Sequence, residues 1–197
     1  IIGIISFALS GFLIAVHCKL DILGVFISAF LTAFGGGMTR DVLADRTPYV
    51  FTSNLPLSLV IATVLIAMLF KLHKITNLEG KWAFVISDAI GLSSFAITGA
   101  IIAIESGFNF LSAVMLAFIT AVGGGTIRDV LINRMPFILV SEFYATVALI
   151  IGSVVYILDA FELRNIFSLI IVFIFGVVLR VLAYYKKWHL PTLSKEN

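Results

Sequence analysis

Several kinds of residue are scarce in this chain, and each scarcity excludes a class of protein. The single cysteine, Cys18, excludes an internal disulfide and has no partner for a cysteine-based metal site. Charged residues make up 12% of the sequence, and the net charge of +2 is spread over short loops, which argues against nucleic-acid binding. The sequence also lacks a metal-ligand cluster, a Ser-His-Asp set and a phosphate-binding loop after a strand. We therefore expect neither an enzyme nor a cofactor-binding protein.

Apolar residues, in contrast, are abundant. They make up 61% of the chain, and the mean hydropathy is +1.16, which excludes a water-soluble globular protein. Seven apolar stretches approach the length of about 20 residues that a membrane-spanning helix needs: 1–18, 21–46, 54–71, 82–104, 108–132, 137–158 and 164–185. The first stretch has no basic region before it, so we expect no cleavable signal. We predict an all-α integral membrane protein with seven transmembrane helices, surrounded by membrane lipid.

Lysines collect on one side of this predicted membrane topology. Seven crossings place the two termini on opposite sides, and the C-terminal side carries Lys19, Lys71, Lys74, Lys81, Lys186, Lys187 and Lys195. The other side carries Arg164 with three acidic residues, Glu105, Asp159 and Glu162. Because short cytoplasmic loops are enriched in lysine and arginine, the N terminus is predicted outside and the C terminus in the cytoplasm.

The two halves of the chain are copies of one another. An offset of 88 positions aligns residues 1–50 with residues 89–138 without a gap and with 22 identities. Since each copy holds three spans, an odd number, the second copy must be inverted in the membrane, an arrangement typical of transporters and related channels. We therefore divide the chain into a first three-helix repeat (1–80), a second, inverted three-helix repeat (81–160), and a seventh helix with a cytoplasmic tail (161–197).

Each repeat carries a glycine module in its second span. The modules consist of Gly35, Gly36 and Gly37 before Arg40 and Asp41, and of Gly123, Gly124 and Gly125 before Arg128 and Asp129. Each glycine costs a helix about 1 kcal/mol relative to alanine, and an intramembrane charge costs several more. Helix length places both triplets in the middle third of the bilayer, about 10 Å apart in depth. We predict kinked or unwound segments that line a water-filled path, with close helix packing as the alternative.

Polar side chains near the triplets are candidates for the same path. Hydroxyl groups can ligate a partly dehydrated cation, although a buried hydroxyl often bonds a carbonyl one turn back. The candidates are Thr32 and Thr120 at matched positions, with Ser6, Ser10, Ser94 and Thr98 on neighbouring spans. Neighbours in a helix do not face each other, so the four charges of the modules are expected to pair across the repeats or with helix-end carbonyls. Asp88 is expected at the start of the fourth span, where a carboxylate favours the helix N-terminus.

The two modules also carry a family resemblance. Gly35–Leu43 and Gly123–Leu131 share the pattern Gly-Gly-Gly-x-x-Arg-Asp-Val-Leu, and each is followed by Arg-x-Pro, at 46–48 and 134–136. This tandem pattern resembles the prokaryotic branch of the TRIC (trimeric intracellular cation) channels, also catalogued as a glycine-transporter domain present in two copies. The resemblance covers nearly the whole chain.

The resemblance implies a homotrimer in the prokaryotic inner (plasma) membrane, with one ion path in each subunit. The path would be lined by the second and fifth spans at their glycine bends, and K⁺ and Na⁺ would be the permeant ions. A carrier for a small neutral amino acid such as glycine is the competing hypothesis, and a structural membrane scaffold is the third. The sequence alone does not separate a channel from a carrier, because inverted repeats with bent helices serve both.

Overall fold

The structure, a computed structural model, describes residues 1–72, 78–140 and 143–188, without the side chains of residues 78–81 and 140. These ranges contain nine helices and no strand. The helices are α1 (Ile2–His17), α2 (Ile22–Leu43), α3 (Tyr49–Thr52), α4 (Leu55–Leu69), α5 (Leu78–Glu105), α6 (Phe110–Leu131), α7 (Phe137–Val140), α8 (Tyr144–Ala160) and α9 (Ile166–Tyr185). The seven longer helices fall within or close to the seven apolar stretches, and the all-α prediction is confirmed.

Four of these helices are long and apolar enough to cross a membrane. They are α2, α6, α9 and the part of α5 from Trp82 to Glu105. The apolar helices α1, α4 and α8 are shorter, at 16, 15 and 17 residues. The protein is thus an integral membrane protein, while the count of seven crossings stays a prediction. The short helices α3 and α7, which follow the two Arg-x-Pro segments, were not predicted.

The 88-residue offset recurs in the helix boundaries. The side chain of Asp21 accepts a hydrogen bond from the N–H of Gly24 at the start of α2, and Asn109 does the same for Ser112 at the start of α6. After these helices, Asp45 and Asn133 adopt left-handed backbone conformations, with φ of 53° and 56°. The helices α2 and α6 therefore begin with equivalent capping interactions and end in equivalent backbone conformations.

The core forms where the two halves meet. The helices α2 and α6 pack against each other, α1 packs against α2 and α5, and α8 and α9 cover the second half. At the centre, the rings of Phe7 and Phe95 stack with centroids 5.0 Å apart, although the two residues occupy equivalent positions in the repeats. A Cβ added to Gly91 would meet the ring of Phe7, and a Cβ added to Gly3, the equivalent glycine of the first repeat, would meet the ring of Phe95. Equivalent residues of the two repeats thus contact each other directly in the core.

Two predictions about local structure need correction. The helix α2 continues through Gly35–Gly37 and α6 through Gly123–Gly125, so neither triplet is unwound, and a kink at the triplets stays a prediction. Glycine can keep its backbone hydrogen bonds in a helix, and an apolar environment makes their loss expensive. Asp88 lies ten residues into α5 and is 2% exposed, so it does not begin a helix.

Candidate functional site

The two glycine modules form the crossing of α2 and α6. A Cβ added to Gly36 would strike the carbonyl oxygen of Thr120, and a Cβ added to Gly124 would strike the carbonyl oxygen of Thr32. Since Gly36 lies after Thr32 while Thr120 lies before Gly124, the two helices run in opposite directions past each other. Only residues without a side chain allow two helical backbones to approach this closely.

The first glycine of each triplet belongs to the same contact. A Cβ on Gly35 would lie 3.1 Å from the Cα of Gly124, and a Cβ on Gly123 would lie 3.1 Å from the Cα of Gly36. These distances to backbone atoms are tighter than ordinary van der Waals contact, and a Cβ on Gly35 would also lie 3.0 Å from Ile127 Cδ1. The first two glycines of each module therefore pack the helices together, which was the alternative to a cavity-lining role.

The third glycines differ from the first two. A Cβ on Gly37 would lie 3.7 Å from the ring of Phe95, and one on Gly125 would lie 3.7 Å from the guanidinium of Arg128, both ordinary contacts. A small cavity of about 40 Å³ lies beside Gly37 and is also lined by Arg40 and Asp41. The available space in the first module thus lies beside the third glycine, towards the charged pair.

Hydroxyls near the crossing bond to their own helices. Thr32 Oγ1 donates to the carbonyl of Ser28 at 2.6 Å, and Thr120 Oγ1 donates to that of Leu116 at 2.5 Å. Both side chains are buried. Of the other candidates, Thr98 is exposed and donates to Phe95, Ser94 lies against α1 near Gly3, and Ser6 is buried.

The arginine and aspartate of each module pair with each other. Arg40 Nη2 lies 2.7 Å from Asp41 Oδ1, and Arg128 Nε lies 2.9 Å from Asp129 Oδ1. The prediction that these charges pair across the repeats or with helix-end carbonyls was therefore wrong. The rule against contact between helix neighbours applies to short side chains, whereas the arginine chain is long enough to fold back along the helix to its neighbour.

The second carboxylate oxygen of each aspartate holds the next segment. Asp41 Oδ2 accepts a hydrogen bond from the N–H of Tyr49 at 3.0 Å, and Asp129 Oδ2 accepts one from Phe137 at 2.9 Å. Tyr49 and Phe137 are the first residues of α3 and α7. Each aspartate therefore neutralises a buried guanidinium and fixes the chain after the Arg-x-Pro segment.

The second module is connected to further polar groups. Arg128 Nη1 donates to Ser10 Oγ at 3.4 Å, and Ser10 Oγ donates to Asp88 Oδ1 at 3.1 Å. The guanidinium of Arg128 also lies 5.8 Å from the ring centroid of Phe84. Ser10 was a candidate for its hydroxyl, but the central position of Asp88 was missed. The sequence did contain a signal for this position, because the Asp88 carboxylate lies six residues inside the predicted span 82–104.

Helix α9 adds a third buried arginine to this region. Arg180 is 1% exposed, and its guanidinium lies 5.0 Å from the ring centroid of Tyr144 and 5.5 Å from that of Phe137. This arginine was not named as a candidate in the sequence analysis. A cation in a strongly apolar span was the signal that marked it as part of the core.

The buried charges of the described ranges balance. They comprise three arginines and three aspartates: Arg40, Arg128, Arg180, Asp41, Asp88 and Asp129. Among the described residues, no group of three or more His, Cys, Asp or Glu side chains could hold a metal ion. The centre of the molecule is therefore polar but close to electrically neutral.

The arginines of the Arg-x-Pro segments lie nearer the surface. Arg46 Nη1 forms a half-exposed ion pair with Glu105 Oε2 at 3.4 Å, and Arg134 Nη1 lies 3.6 Å from Cys18 Sγ. Of the lysines counted on the C-terminal side, Lys71 is exposed, whereas Lys74 and Lys195 lie outside the described residues.

Comparison with known proteins identifies the family to which this chain belongs. A family model described as "Glycine transporter" matches residues 1–72 and 85–160. A solved structure concerning conductance through TRIC cation channels is 36% identical, with a TM-score of 0.85, and the match covers 100% of this chain and 96% of that one. The chain belongs to the prokaryotic TRIC channel family. Its family and fold are those of channel or transporter-like membrane proteins, not of an enzyme.

Other TRIC structures and membrane proteins are also similar. The TRIC orthologue from Rhodobacter sphaeroides has a TM-score of 0.86 at 29% identity, over 94% of this chain and 95% of that one. The UPF0126 membrane protein YvgT of Bacillus subtilis (strain 168) is 37% identical over 98% of this chain and 94% of its own length. The UPF0126 inner membrane protein YadS of Escherichia coli (strain K12) is 40% identical over 79% of this chain and 74% of its own length. The predicted family resemblance is confirmed, and the similarity to TRIC structures supports a cation channel.

Proposed function

We propose that this protein is a passive channel for monovalent cations, K⁺ and Na⁺, with one path in each subunit of a homotrimer. The observation that carries the proposal is the crossing of α2 and α6 at their glycine modules, in a chain that aligns over its whole length with TRIC cation channels. The opposite directions of the two helices support inverted repeats, with the boundaries 1–80, 81–160 and 161–197. The lysine distribution supports an outside N terminus and a cytoplasmic C terminus in a prokaryotic inner membrane.

The proposed path passes the third glycine of each module. Gly35, Gly36, Gly123 and Gly124 hold the two backbones together, so conduction at this level needs space beside Gly37 and Gly125. If α2 and α6 bend apart at the level of the glycine modules, their carbonyl groups and the hydroxyls of Thr32 and Thr120 become exposed to water. In this proposal, the Arg-Asp pairs anchor the ends of the bends.

Charge pairing explains how cations could pass three buried arginines. Arg40 and Arg128 are each neutralised by the adjacent aspartate, and the six buried charges of the described ranges sum to zero. An arginine paired with an aspartate repels a cation less than an unpaired arginine would. We therefore propose that carbonyl and hydroxyl dipoles, with no cofactor, provide the preference for cations.

Recordings from the purified protein in planar bilayers test this function. In a KCl gradient, we expect discrete unitary currents that reverse near the K⁺ equilibrium potential. Gly37→Leu should reduce the unitary current because its side chain enters the space beside the path, whereas Val42→Leu, at an exposed position of the same helix, should not. Equal effects of the two variants would contradict a path beside Gly37.

A carrier for glycine remains the second candidate, because the matched family model is described as a glycine transporter. Broken or bent helices can present helix ends to a carboxylate and an ammonium group. Saturable uptake of labelled glycine into proteoliposomes, with no unitary K⁺ current in bilayers, would favour the carrier and refute the channel. Unitary currents without glycine uptake would favour the channel and refute the carrier.

A further inference from the structure

An apolar groove lies between the N-terminal half of α2 and the C-terminal half of α4. Its volume is about 450 Å³, and its lining consists of Ile22, Leu23, Phe26, Ile61, Val64, Leu65 and Met68. Val64 is 5% exposed and forms the floor, whereas Leu23 and Leu65 are 65% and 60% exposed. The groove is thus open along its length towards the surroundings of the helices.

The corresponding helices of the second repeat, α6 and α8, are in close contact at the equivalent place. By the 88-residue offset, Gly152 of the second repeat is the position equivalent to Val64. A Cβ on Gly152 would lie 2.8 Å from the Cβ of Ala117 on α6. Glycine thus lets α8 pack directly on α6. Tyr156 is the position equivalent to Met68, and its ring packs edge-to-face against the ring of Phe110 with centroids 5.3 Å apart. In the first repeat the equivalent position is Val64, which lines the groove between α2 and α4.

The end of the groove carries positive charge. Lys19 follows α1 three residues before Ile22, and the N–H of Lys71 donates to the carbonyl of Met68. Both lysines are exposed. The described residues at this end also include Asp21, whose carboxylate caps α2 through Gly24, and Arg134, which contacts Cys18, while His17 is the last residue of α1. Two lysines and one arginine against one aspartate leave this rim positive.

The corresponding rim of the second repeat is acidic instead. Gly107 stands at the position of Lys19, and the segment after α8 contains Asp159 and Glu162. The one arginine there, Arg164, is paired with Asp159 at 2.6 Å. The open apolar groove and the positive rim therefore occur together in the first repeat, whereas the equivalent rim of the second repeat is acidic.

We propose that this groove binds one acyl chain of an anionic phospholipid, whose phosphate lies against Lys19 and Lys71. The apolar lining matches the acyl chain, and the lysines match the anionic headgroup at the membrane surface. The site lies at the start of α2, away from the glycine module. It does not depend on whether the protein is a channel or a carrier.

Native mass spectrometry of the purified full chain in detergent tests the headgroup part of the proposal. Phosphatidylglycerol and phosphatidylcholine with identical acyl chains are titrated separately. Lys19→Gln with Lys71→Gln should weaken phosphatidylglycerol binding by about thirtyfold and leave phosphatidylcholine binding unchanged. The control pair, Lys186→Gln with Lys187→Gln, removes two lysines after α9 and should leave both affinities unchanged. Equal weakening by both pairs, or by neither, would overturn the site.

A second pair of variants tests the acyl-chain part. Leu65→Trp fills the groove and should abolish specific binding of both lipids, whereas Ile66→Trp lies on the same helix at 54% exposure, outside the lining, and should not. Retention of phosphatidylglycerol binding by Leu65→Trp would contradict the proposal. Unchanged elution of both variants in size-exclusion chromatography confirms that they remain folded.

Crosslinking distinguishes a lipid from a second copy of the chain in the groove. Leu23→Cys is introduced together with Cys18→Ser and treated with a short bismaleimide in membranes. Monomeric protein after this treatment supports a lipid-filled groove. Efficient formation of a covalent dimer would assign the groove to a neighbouring subunit and overturn the proposal.

Discussion

Replacing Gly36 by alanine tests whether the glycine triplets contain two functional kinds of glycine. A Cβ on Gly36 would fall on the carbonyl group of Thr120 and lie 3.3 Å from the backbone nitrogen of Gly124. Because these atoms belong to the backbone of an intact helix, the clash is relieved only when α2 moves away from α6. A Cβ on Gly37 meets side-chain atoms of Phe95 and Arg40 at 3.7 and 3.9 Å and needs no movement.

The expected stability changes have opposite signs. Overpacking of a close-packed core costs about 1–3 kcal/mol, and contact with rigid backbone atoms places Gly36→Ala at the upper end of that range. Alanine recovers about 1 kcal/mol through its higher helix propensity. The net result is a loss of about 2 kcal/mol for Gly36→Ala. Gly37→Ala keeps only the propensity gain of about 1 kcal/mol, so the two variants should differ by about 3 kcal/mol.

Equilibrium unfolding in mixed micelles, monitored by circular dichroism, measures this difference. The equivalent variants in the second repeat, Gly124→Ala and Gly125→Ala, provide an independent copy of the comparison in the same protein. They should show the same order, because a Cβ on Gly124 would strike the carbonyl oxygen of Thr32 while one on Gly125 makes ordinary contacts. Equal unfolding free energies for Gly36→Ala and Gly37→Ala would refute the division of the triplet.

Three further changes have definite expected outcomes. Asp129→Asn leaves a buried guanidinium without its counter-charge and should reduce the free energy of unfolding by about 3–5 kcal/mol in micelles; a loss below 1 kcal/mol would contradict the pairing with Arg128. Ser10→Ala removes a hydroxyl between two charged groups and should cost about 1.5–3 kcal/mol in the same assay, more than the control Ser6→Ala. Glu105→Gln breaks a half-exposed ion pair and should change stability by less than about 1 kcal/mol, so a larger effect would show that this pair does more than bridge the surface.

The sequence predicted the helices well because their signal is local. Runs of apolar residues predicted seven helices to within a few residues in most cases. The sixth stretch was the exception. Its prediction began at residue 137, whereas the structure has the short helix α7 there and begins α8 at Tyr144. A continuous apolar run does not reveal a break that depends on Asp129 holding the chain at Phe137.

The site was only partly predictable from the sequence. Repeated glycines marked the correct crossing, but the sequence could not show which members of each triplet face the other helix. Gly36 and Gly37 are identical in type and differ only in what surrounds them. The role of Asp88 was missed for the same reason, since its partners Ser10 and Arg128 are 78 and 40 positions away along the chain.

By itself, the sequence determined that this protein lies in a membrane, that it is a tandem repeat and that its two glycine modules are equivalent. These properties follow from hydropathy, from the 88-residue offset and from the local cost of glycine and charge in an apolar helix. Only the tertiary structure decided that the first two glycines pack, that each arginine pairs with its neighbouring aspartate, and that a groove lies beside Val64 while α6 and α8 are in close contact at Gly152. Those outcomes depend on distances between helices, and a single side chain such as Val64 or Gly152 changes such a distance without altering the helical pattern on either side.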